Sequence, residues 1–197
     1  MQSITYNNMK KKIINICLLW VLLFMGIINL NAQVPLKLSA KSTMVVTGTS
    51  TLHDWESNIT NIQLTGTGKK ENGKLSAIES LTLTIPVKAI KSGKGLMDDK
   101  TYDALKSKQH PNIKFELVSA ELVNGKIRGE GKLQIAGNSL LVPVNASYSF
   151  HGNSELLVKG VHKIDMTRFG INPPTALMGS VTTGKDVTIP YEIIINY

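Results

Sequence analysis

Residues 140–150 of this 197-residue chain read Leu-Leu-Val-Pro-Val-Asn-Ala-Ser-Tyr-Ser-Phe, and residues 187–195 read Val-Thr-Ile-Pro-Tyr-Glu-Ile-Ile-Ile. Every even-numbered residue of the first stretch, and every odd-numbered residue of the second, is apolar or aromatic. A period of two places alternate side chains on one face of an extended strand. The two stretches therefore predict long strands, each with one apolar face.

The same period recurs through most of residues 43–197 and predicts about eight strands. Their ranges are 43–50, 59–67, 81–87, 113–122, 126–136, 140–150, 156–166 and 187–195. Asn124-Gly125 separates two of them, and this pair suits a type I′ turn because both of its central positions need a positive φ. We therefore expect a hairpin over residues 113–136.

Two stretches depart from the alternation. In residues 98–108, Tyr102 and Leu105 recur at helical spacing, and an acidic pair at the start suits the positive end of a helix. This predicts one short helix that ends before Pro111. Residues 169–184 contain two consecutive prolines and predict a loop or a short helical turn.

About eight antiparallel strands must protect their edges, and closure into a barrel removes the edges. We therefore predict an all-β fold, an eight-stranded antiparallel barrel with one short helix between strands. A two-sheet sandwich is the second choice. An eight-stranded barrel can hold a small apolar ligand, but its interior can equally be filled by side chains, and the periodicity leaves both possibilities open.

The N-terminal residues have the pattern of a secretory signal peptide. Lys10 to Lys12 precede an uncharged run at residues 13–28, and a small residue, Ala32, follows. We predict a signal peptide over residues 1–32 and one domain over residues 33–197, located in the periplasm or secreted. A retained membrane anchor is the alternative. Because Cys17 is the only cysteine, the mature domain has no thiol for catalysis, disulfides or metal binding.

The charge gives no support for nucleic-acid binding. Removal of residues 1–32 takes away three lysines and no acidic residue, so the formal charge falls from +8 to +5. The remaining lysines occur singly or in pairs, without a basic stripe interleaved with aromatic residues. We expect no nucleic-acid partner.

The chain lacks the motifs of common catalytic and metal sites. Its four histidines share no HxH or HExxH spacing, so we predict no metal and no cofactor. Residues 48–52 resemble a nucleophile elbow but lack its closing glycine. Trp55 is the one tryptophan after residue 32, and it either lines a ligand pocket or packs in the core. We predict that the protein is not an enzyme.

Several ordered motifs resemble those of the YceI-like family. They are Gly48-Thr-Ser-Thr-Leu-His-Asp-Trp55, Lys91-Ser-Gly93, Met97-Asp98, Gln109-His-Pro-Asn-Ile-Lys-Phe115, Gly131-Lys-Leu-Gln-Ile-Ala-Gly137 and Met166-Thr-Arg-Phe-Gly-Ile-Asn-Pro-Pro174. The resemblance covers about residues 38–197. It implies a lipocalin-like antiparallel barrel, exported to the periplasm, with an elongated apolar cavity that binds a polyisoprenoid chain or a similar long amphiphile. It implies no catalytic residues.

The resemblance therefore favours an exported protein that holds a long-chain isoprenoid or fatty amphiphile for transport, storage or sequestration. A solid-core surface interaction protein is the alternative, followed by a lipid-modifying enzyme. Transient membrane contact and a homodimer are compatible with this function. We expect three residues at the cavity mouth to meet the head group: His53, Asp54 and Arg168. The expected ligand-binding residues are Trp55, Leu83, Ile85, Phe115, Leu140, Val142, Val144, Tyr148, Phe150, Phe169 and Ile189.

Overall fold

The computed structural model describes residues 32–197, and the signal peptide predicted over residues 1–32 falls, up to residue 31, outside the described part. The described residues form thirteen strands, one α-helix and three 3-10 turns. The strands are β1 Ala32–Pro35, β2 Lys37–Leu38, β3 Thr43–Ser50, β4 Trp55–Ile59, β5 Gln63–Glu71, β6 Lys74–Pro86, β7 Ile90–Lys91, β8 Asn112–Val123, β9 Lys126–Ile135, β10 Asn138–His151, β11 Glu155–Asp165, β12 Thr175–Ala176 and β13 Val181–Asn196. The helix α1 is Gly95–Ala104, and the 3-10 turns are Val87–Ala89, Met166–Phe169 and Leu177–Gly179.

The strands form one strongly curled antiparallel sheet, a half-barrel, in the order β1-β5-β6-β8-β9-β10-β11-β13-β3-β4-β7. Strands β2 and β12 pair with β13 beside this path. The predicted all-β barrel class is confirmed, whereas the strand count differs. Eight strands have eight or more residues, and the other five have only two to five. These short pieces carry too few residues for an alternating pattern to show.

The predicted hairpin at Asn124-Gly125 is confirmed. Val123 of β8 pairs with Lys126 of β9, and the two residues between them have φ values of 50° and 73°. Both values lie in the left-handed region that a type I′ turn requires. The turn therefore sets the register in which β8 and β9 run.

The helix lies three to four residues earlier in the chain than the predicted range of 98–108. The Ser92 backbone N–H and hydroxyl donate to the Asp98 carboxylate at 2.8 and 2.6 Å, which holds the chain before the first turn against the helix. Lys106, with a φ of 53°, ends the helical path well before Pro111. The predicted loop at residues 169–184 is also shorter, because β13 begins at Val181.

The alternation decides which side chains point inward. Along β10 the even-numbered residues 140–150 are buried or half-buried, and along β13 the odd-numbered residues 187–195 are. These side chains pack in two apolar clusters, one around Leu156 and Ile195 and the other around Phe169 and Ile171. The inner face of the sheet is therefore mainly apolar. Within residues 32–197, no helix is long and apolar enough to cross a membrane.

Candidate ligand-binding cavity

The concave face of the sheet borders an inner chamber of about 270 Å³. Residues from nearly every long strand line it, among them Leu83 and Ile85 of β6, Phe115 of β8 and Val144 of β10. Almost all of these side chains are aliphatic or aromatic. The interior therefore contains unfilled apolar space, in contrast with the solid core that the sequence left open.

A larger outer chamber of about 1010 Å³ lies under α1 and the segment around the 3-10 turn Leu177–Gly179. Trp55, Met97 and Leu105 contribute apolar walls, and Lys94 and Lys100 are the charged side chains among its lining residues. Six aliphatic residues line both chambers, so the two spaces adjoin: Val46, Ile90, Ile113, Ile135, Ile164 and Ile189. The two chambers therefore lie next to each other, and both have mainly apolar walls.

Trp55 is fixed by its neighbours in the wall of the outer chamber. Its indole Nε1–H donates to the Thr49 carbonyl oxygen at 3.0 Å, which satisfies the polar edge of the ring. The rest of the indole occupies the space beside Gly48, its partner across the β3–β4 pair, where a Cβ atom would overlap the ring. A larger residue at position 48 would push the indole out of this place.

Asp98 holds α1 in place above the outer chamber. Its side chain is nearly buried, and it accepts two hydrogen bonds from Ser92 and lies 3.7 Å from Lys91 Nζ. The hydrogen bonds from Ser92 are the main cause that holds the Asp98 pKa below its ordinary value, with Lys91 adding to the effect. This carboxylate therefore has a structural role, and its hydrogen bonds leave it unable to act on a bound molecule.

Exposed apolar side chains surround the outer chamber. Leu52, Leu96 and Leu177 expose 66%, 85% and 71% of their surface, Met178 is fully exposed, and all four line this chamber. Leu177 and Met178 have φ values of 48° and 56°, which are unfavourable for residues with a side chain. The backbone therefore accepts strain where it holds two large apolar side chains out in water.

Two inward polar side chains interrupt the apolar wall of the inner chamber. His162 of β11 and Tyr191 of β13 both line it. Burial lowers the pKa of His162 and raises the pKa of Tyr191, because burial disfavours the charged form of each group. Both side chains are therefore uncharged at neutral pH.

A family model described as the YceI-like domain matches residues 34–195. This chain belongs to the YceI-like family. The match includes residues of every strand of the described sheet and all residues that line the two chambers. No curated protein matches the sequence of this YceI-like chain significantly.

Solved structures share the fold of this YceI-like domain. The crystal structure of Burkholderia cenocepacia BcnA has a TM-score of 0.65 and 20% identity, and the match covers 79% of this chain and 96% of that one. A polyisoprenoid binding domain from Saccharophagus degradans implicated in plant cell wall breakdown has a TM-score of 0.61, 10% identity and coverages of 82% and 97%. The Campylobacter jejuni YCEI protein has a TM-score of 0.58, 18% identity and coverages of 72% and 84%. At these identities the likeness shows the fold.

The YceI-like domain places seven of the eleven expected ligand-binding residues on the cavity. Trp55 lines the outer chamber, Ile189 lines both chambers, and five residues line the inner one: Leu83, Ile85, Phe115, Val142 and Val144. Four do not line either chamber. Leu140 and Phe169 pack with the cluster around Ile171, and Tyr148 and Phe150 stack edge to face at 5.4 Å in the other cluster.

The three expected mouth residues are not brought together. His53 lines the outer chamber, and its Nδ1–H donates to the Asp54 carbonyl oxygen at 2.7 Å. The side chains of Asp54 and Arg168 are exposed and do not line either chamber. Across residues 32–197, no cluster of three or more His, Cys, Asp or Glu side chains has the arrangement of a metal site.

Sequence reasoning missed several cavity residues. His162 continues the inward row of Leu156, Val158 and Ile164, so its position in the alternation was a usable signal. Lys94 and Lys100 belong to the irregular segment and the helix over the outer chamber, where a strand pattern says nothing. The exposed residues Leu52, Leu96, Leu177 and Met178 form the rim of the outer chamber. The remaining sequence signal for this rim was a cluster of apolar residues, Ala176-Leu177-Met178, inside a loop rich in Pro, Gly and Thr.

Proposed function

We propose that this YceI-like protein is an exported binding protein that holds a polyisoprenoid or similar long-chain amphiphile in its cavity, for transport, storage or sequestration. The observation that carries the proposal is the pair of adjoining, mainly apolar chambers. Burial of an alkyl chain contributes about 0.8 kcal/mol per methylene, so a long chain binds tightly in such a space without polar contacts. The mature protein is proposed to act in the periplasm or outside the cell.

The family and fold support a polyisoprenoid as the ligand. One protein with this fold is a polyisoprenoid binding domain from Saccharophagus degradans. The wall of the inner chamber consists mainly of branched aliphatic side chains, and these match the branched, flexible surface of an isoprenoid. The proposed contacts along the chain are the seven expected residues that line the chambers.

A role in binding agrees with the chemistry of the cavity better than a role in catalysis. Asp98, the nearly buried acid close to the outer chamber, is already held by Ser92 and Lys91. His162 faces an apolar wall with no acidic side chain among the lining residues of the inner chamber to orient it. General acid–base catalysis needs a positioned proton donor and acceptor, and these residues do not provide such a pair.

The rim of the outer chamber supports transient contact with an anionic membrane. Its exposed Leu52, Leu96, Leu177 and Met178 suit the acyl region of a bilayer, as wedge residues of peripheral proteins do. Lys94 and Lys100 lie at the same chamber, and each basic side chain near an anionic surface contributes about 1 kcal/mol. A lipid chain could then pass from the bilayer into the outer chamber without crossing water.

A fluorescence titration tests the binding proposal. Trp55 is the one tryptophan of residues 33–197 and lines the outer chamber, so a C20 isoprenoid alcohol, geranylgeraniol, is expected to change its emission. Val144→Phe fills part of the inner chamber and is expected to weaken binding about tenfold or more. Leu141→Phe, on the outer face of the same strand, is the matched control and is expected to bind normally.

The titration also has a clear negative result. A wild-type protein that takes up neither geranylgeraniol nor a C18 fatty acid would contradict the proposal. Equal affinity in wild type and Val144→Phe would place the ligand outside the inner chamber.

A further inference from the structure

The wall of the half-barrel has a slot between β10 and β11. The hydrogen-bonded ladder between these strands runs from His151↔Glu155 to Ala146↔Gly160 and then stops. Beyond this point residues 138–145 pair only with β9, and residues 161–165 pair only with β13. The slot closes again at its far end, where the Asn138 side-chain amide donates to the Phe169 carbonyl oxygen at 2.8 Å.

The inner chamber reaches into this slot. In a continuous sheet only every second residue of a strand faces one side. On the other described strands no two consecutive residues line the inner chamber, whereas on β10 and β11 residues 142–145 and 161–162 line it consecutively. Pro143, Asn145 and Val161 point to the outer face and are exposed, so the cavity extends between the strands toward the outside.

The polar residues of the inner chamber all lie at this slot. Within the described part of the chain, the residues lining the chamber are apolar apart from Asn145, His162 and Tyr191. Tyr191 is paired with Gly160, and Gly160 forms the last β10–β11 pair together with Ala146. Asn145 directly precedes Ala146 of this last pair, and His162 lies two residues after Gly160. A few convergent polar groups in an otherwise apolar cavity are the usual means of orienting a ligand.

The side chains of His162 and Tyr191 are available to a ligand. Burial is the single cause that shifts the pKa of each, without a hydrogen bond or a charged neighbour in residues 32–197 that contributes. No Lys, Arg, Asp or Glu side chain of the described residues lines the inner chamber. The site therefore offers hydrogen bonds but no countercharge, and a charged group would lose its hydration there without compensation.

We propose that the slot is a polar subsite in which His162 and Tyr191 hydrogen-bond an uncharged group of the bound amphiphile, a carbonyl or a hydroxyl. The proposal rests on the proposed function, since the alkyl part of the same molecule occupies the two chambers. In this proposal the slot selects amphiphiles with an uncharged polar group, whereas the lysines of the outer chamber suit an anionic group. Asn145 forms the exposed lip of the subsite.

Competition binding with three probes of equal chain length tests the subsite. The probes are geranylgeraniol, the corresponding C20 hydrocarbon without the hydroxyl, and geranylgeranyl phosphate. Tyr191→Phe removes one oxygen and keeps the ring, and His162→Leu removes the ring nitrogens. The matched controls are Tyr148→Phe, an inward tyrosine that does not line a chamber, and His151→Leu, an exposed histidine of β10.

We expect Tyr191→Phe and His162→Leu each to weaken geranylgeraniol about fivefold and to leave the hydrocarbon unchanged, because a net hydrogen bond contributes about that factor. Both controls are expected to match wild type. Equal binding of alcohol and hydrocarbon by wild type would overturn the subsite and leave the proposed function standing. Preferred binding of the phosphate, unaffected by either variant, would also overturn the subsite. If wild type binds none of the probes, the subsite and the proposed function fail together.

Discussion

The ring of Tyr191 fills the space that a side chain at Gly160 would occupy. The two residues are directly opposed in the β11–β13 pair, and a Cβ atom at position 160 would overlap the tyrosine ring and its hydroxyl oxygen. Gly160 is also the last residue of β11 that pairs with β10. One glycine therefore lets an aromatic ring lie against the wall at the edge of the slot.

This relationship predicts an energetic coupling between positions 160 and 191. Gly160→Ala forces the ring away and is expected to lower the free energy of unfolding by about 2 kcal/mol, the usual cost of overpacking. In a Tyr191→Ala background the same change meets no ring and is expected to cost less than half as much. Urea unfolding of the four proteins measures the coupling. If Gly160→Ala lowers the free energy of unfolding equally in both backgrounds, the close contact between residue 160 and the Tyr191 ring is contradicted.

Glycine substitutions at the rim are expected to raise the stability of the protein and to weaken its association with membranes. Leu177→Gly and Met178→Gly relieve the left-handed backbone conformation and are expected to raise the unfolding free energy by up to about 1 kcal/mol each. The same changes remove exposed apolar side chains, so sedimentation with anionic vesicles is expected to fall. Val118→Gly, an exposed apolar residue that does not line either chamber, is the control for vesicle binding. Unchanged sedimentation of both rim variants would remove the case for membrane contact.

Asp165 is expected to titrate at unusually low pH. Lys185 Nζ lies 2.7 Å from its carboxylate, and Thr167 donates two hydrogen bonds to it at 2.6 and 2.9 Å. Lys185 first and Thr167 second lower the Asp165 pKa to about 2. Because the folded pKa is the lower one, this stabilisation is present above the unfolded pKa near 3.8 and is lost as the pH falls through about 2.

Carboxyl NMR titration measures this directly. Lys185→Gln is expected to return the Asp165 pKa toward 3.8, and Lys163→Gln, an exposed lysine of β11, is expected to leave it unchanged. A wild-type Asp165 pKa near 4 would show that Lys185 and Thr167 do not bind the carboxylate in solution. The turn Met166–Phe169, which Asp165 caps through Thr167, would then have lost its anchor.

The slot is expected to be visible in amide hydrogen exchange. Alternate backbone amides of residues 161–165 face the slot and lack a strand partner, whereas those facing β13 stay in the ladder. We expect fast and slow amides to alternate in this segment and uniformly slow exchange in residues 156–160. Uniform protection along all of β11 would show that the ladder closes in solution.

Much of the fold was predictable because the strands have one apolar face. The rows in residues 140–150 and 187–195 gave the inward side chains directly, and Asn124-Gly125 gave a turn that only positive φ values allow. The helix boundaries were wrong because the hydrogen bonds from Ser92 to Asp98 and the left-handed Lys106 set them, and the spacing of apolar residues shows neither. The short strands β1, β2 and β7 depend on pairing with distant partners, which no local pattern reports. The short strands β4 and β12 pair with nearby strands but have only five and two residues.

The site was predictable only where it lies on regular strands. Leu83, Phe115 and Ile189 follow the alternation, and the structure places them on the cavity. Leu140 and Phe150 follow it equally well but do not line either chamber. Periodicity shows which face of a strand a side chain is on, and not which inward side chains border a cavity. The rim depends on loop conformation, and the slot depends on a missing ladder between two otherwise regular strands.

Native mass spectrometry of the protein, purified without detergent from the cell that makes it, tests the central claim most directly. Solvent extraction then identifies whatever is bound. We expect a complex with one long-chain isoprenoid or fatty amphiphile per protein, with the ligand lost or reduced in Val144→Phe and retained in Leu141→Phe. A wild-type protein that carries nothing, and that also fails to take up geranylgeraniol, would contradict the account and favour a protein that acts through its surface alone.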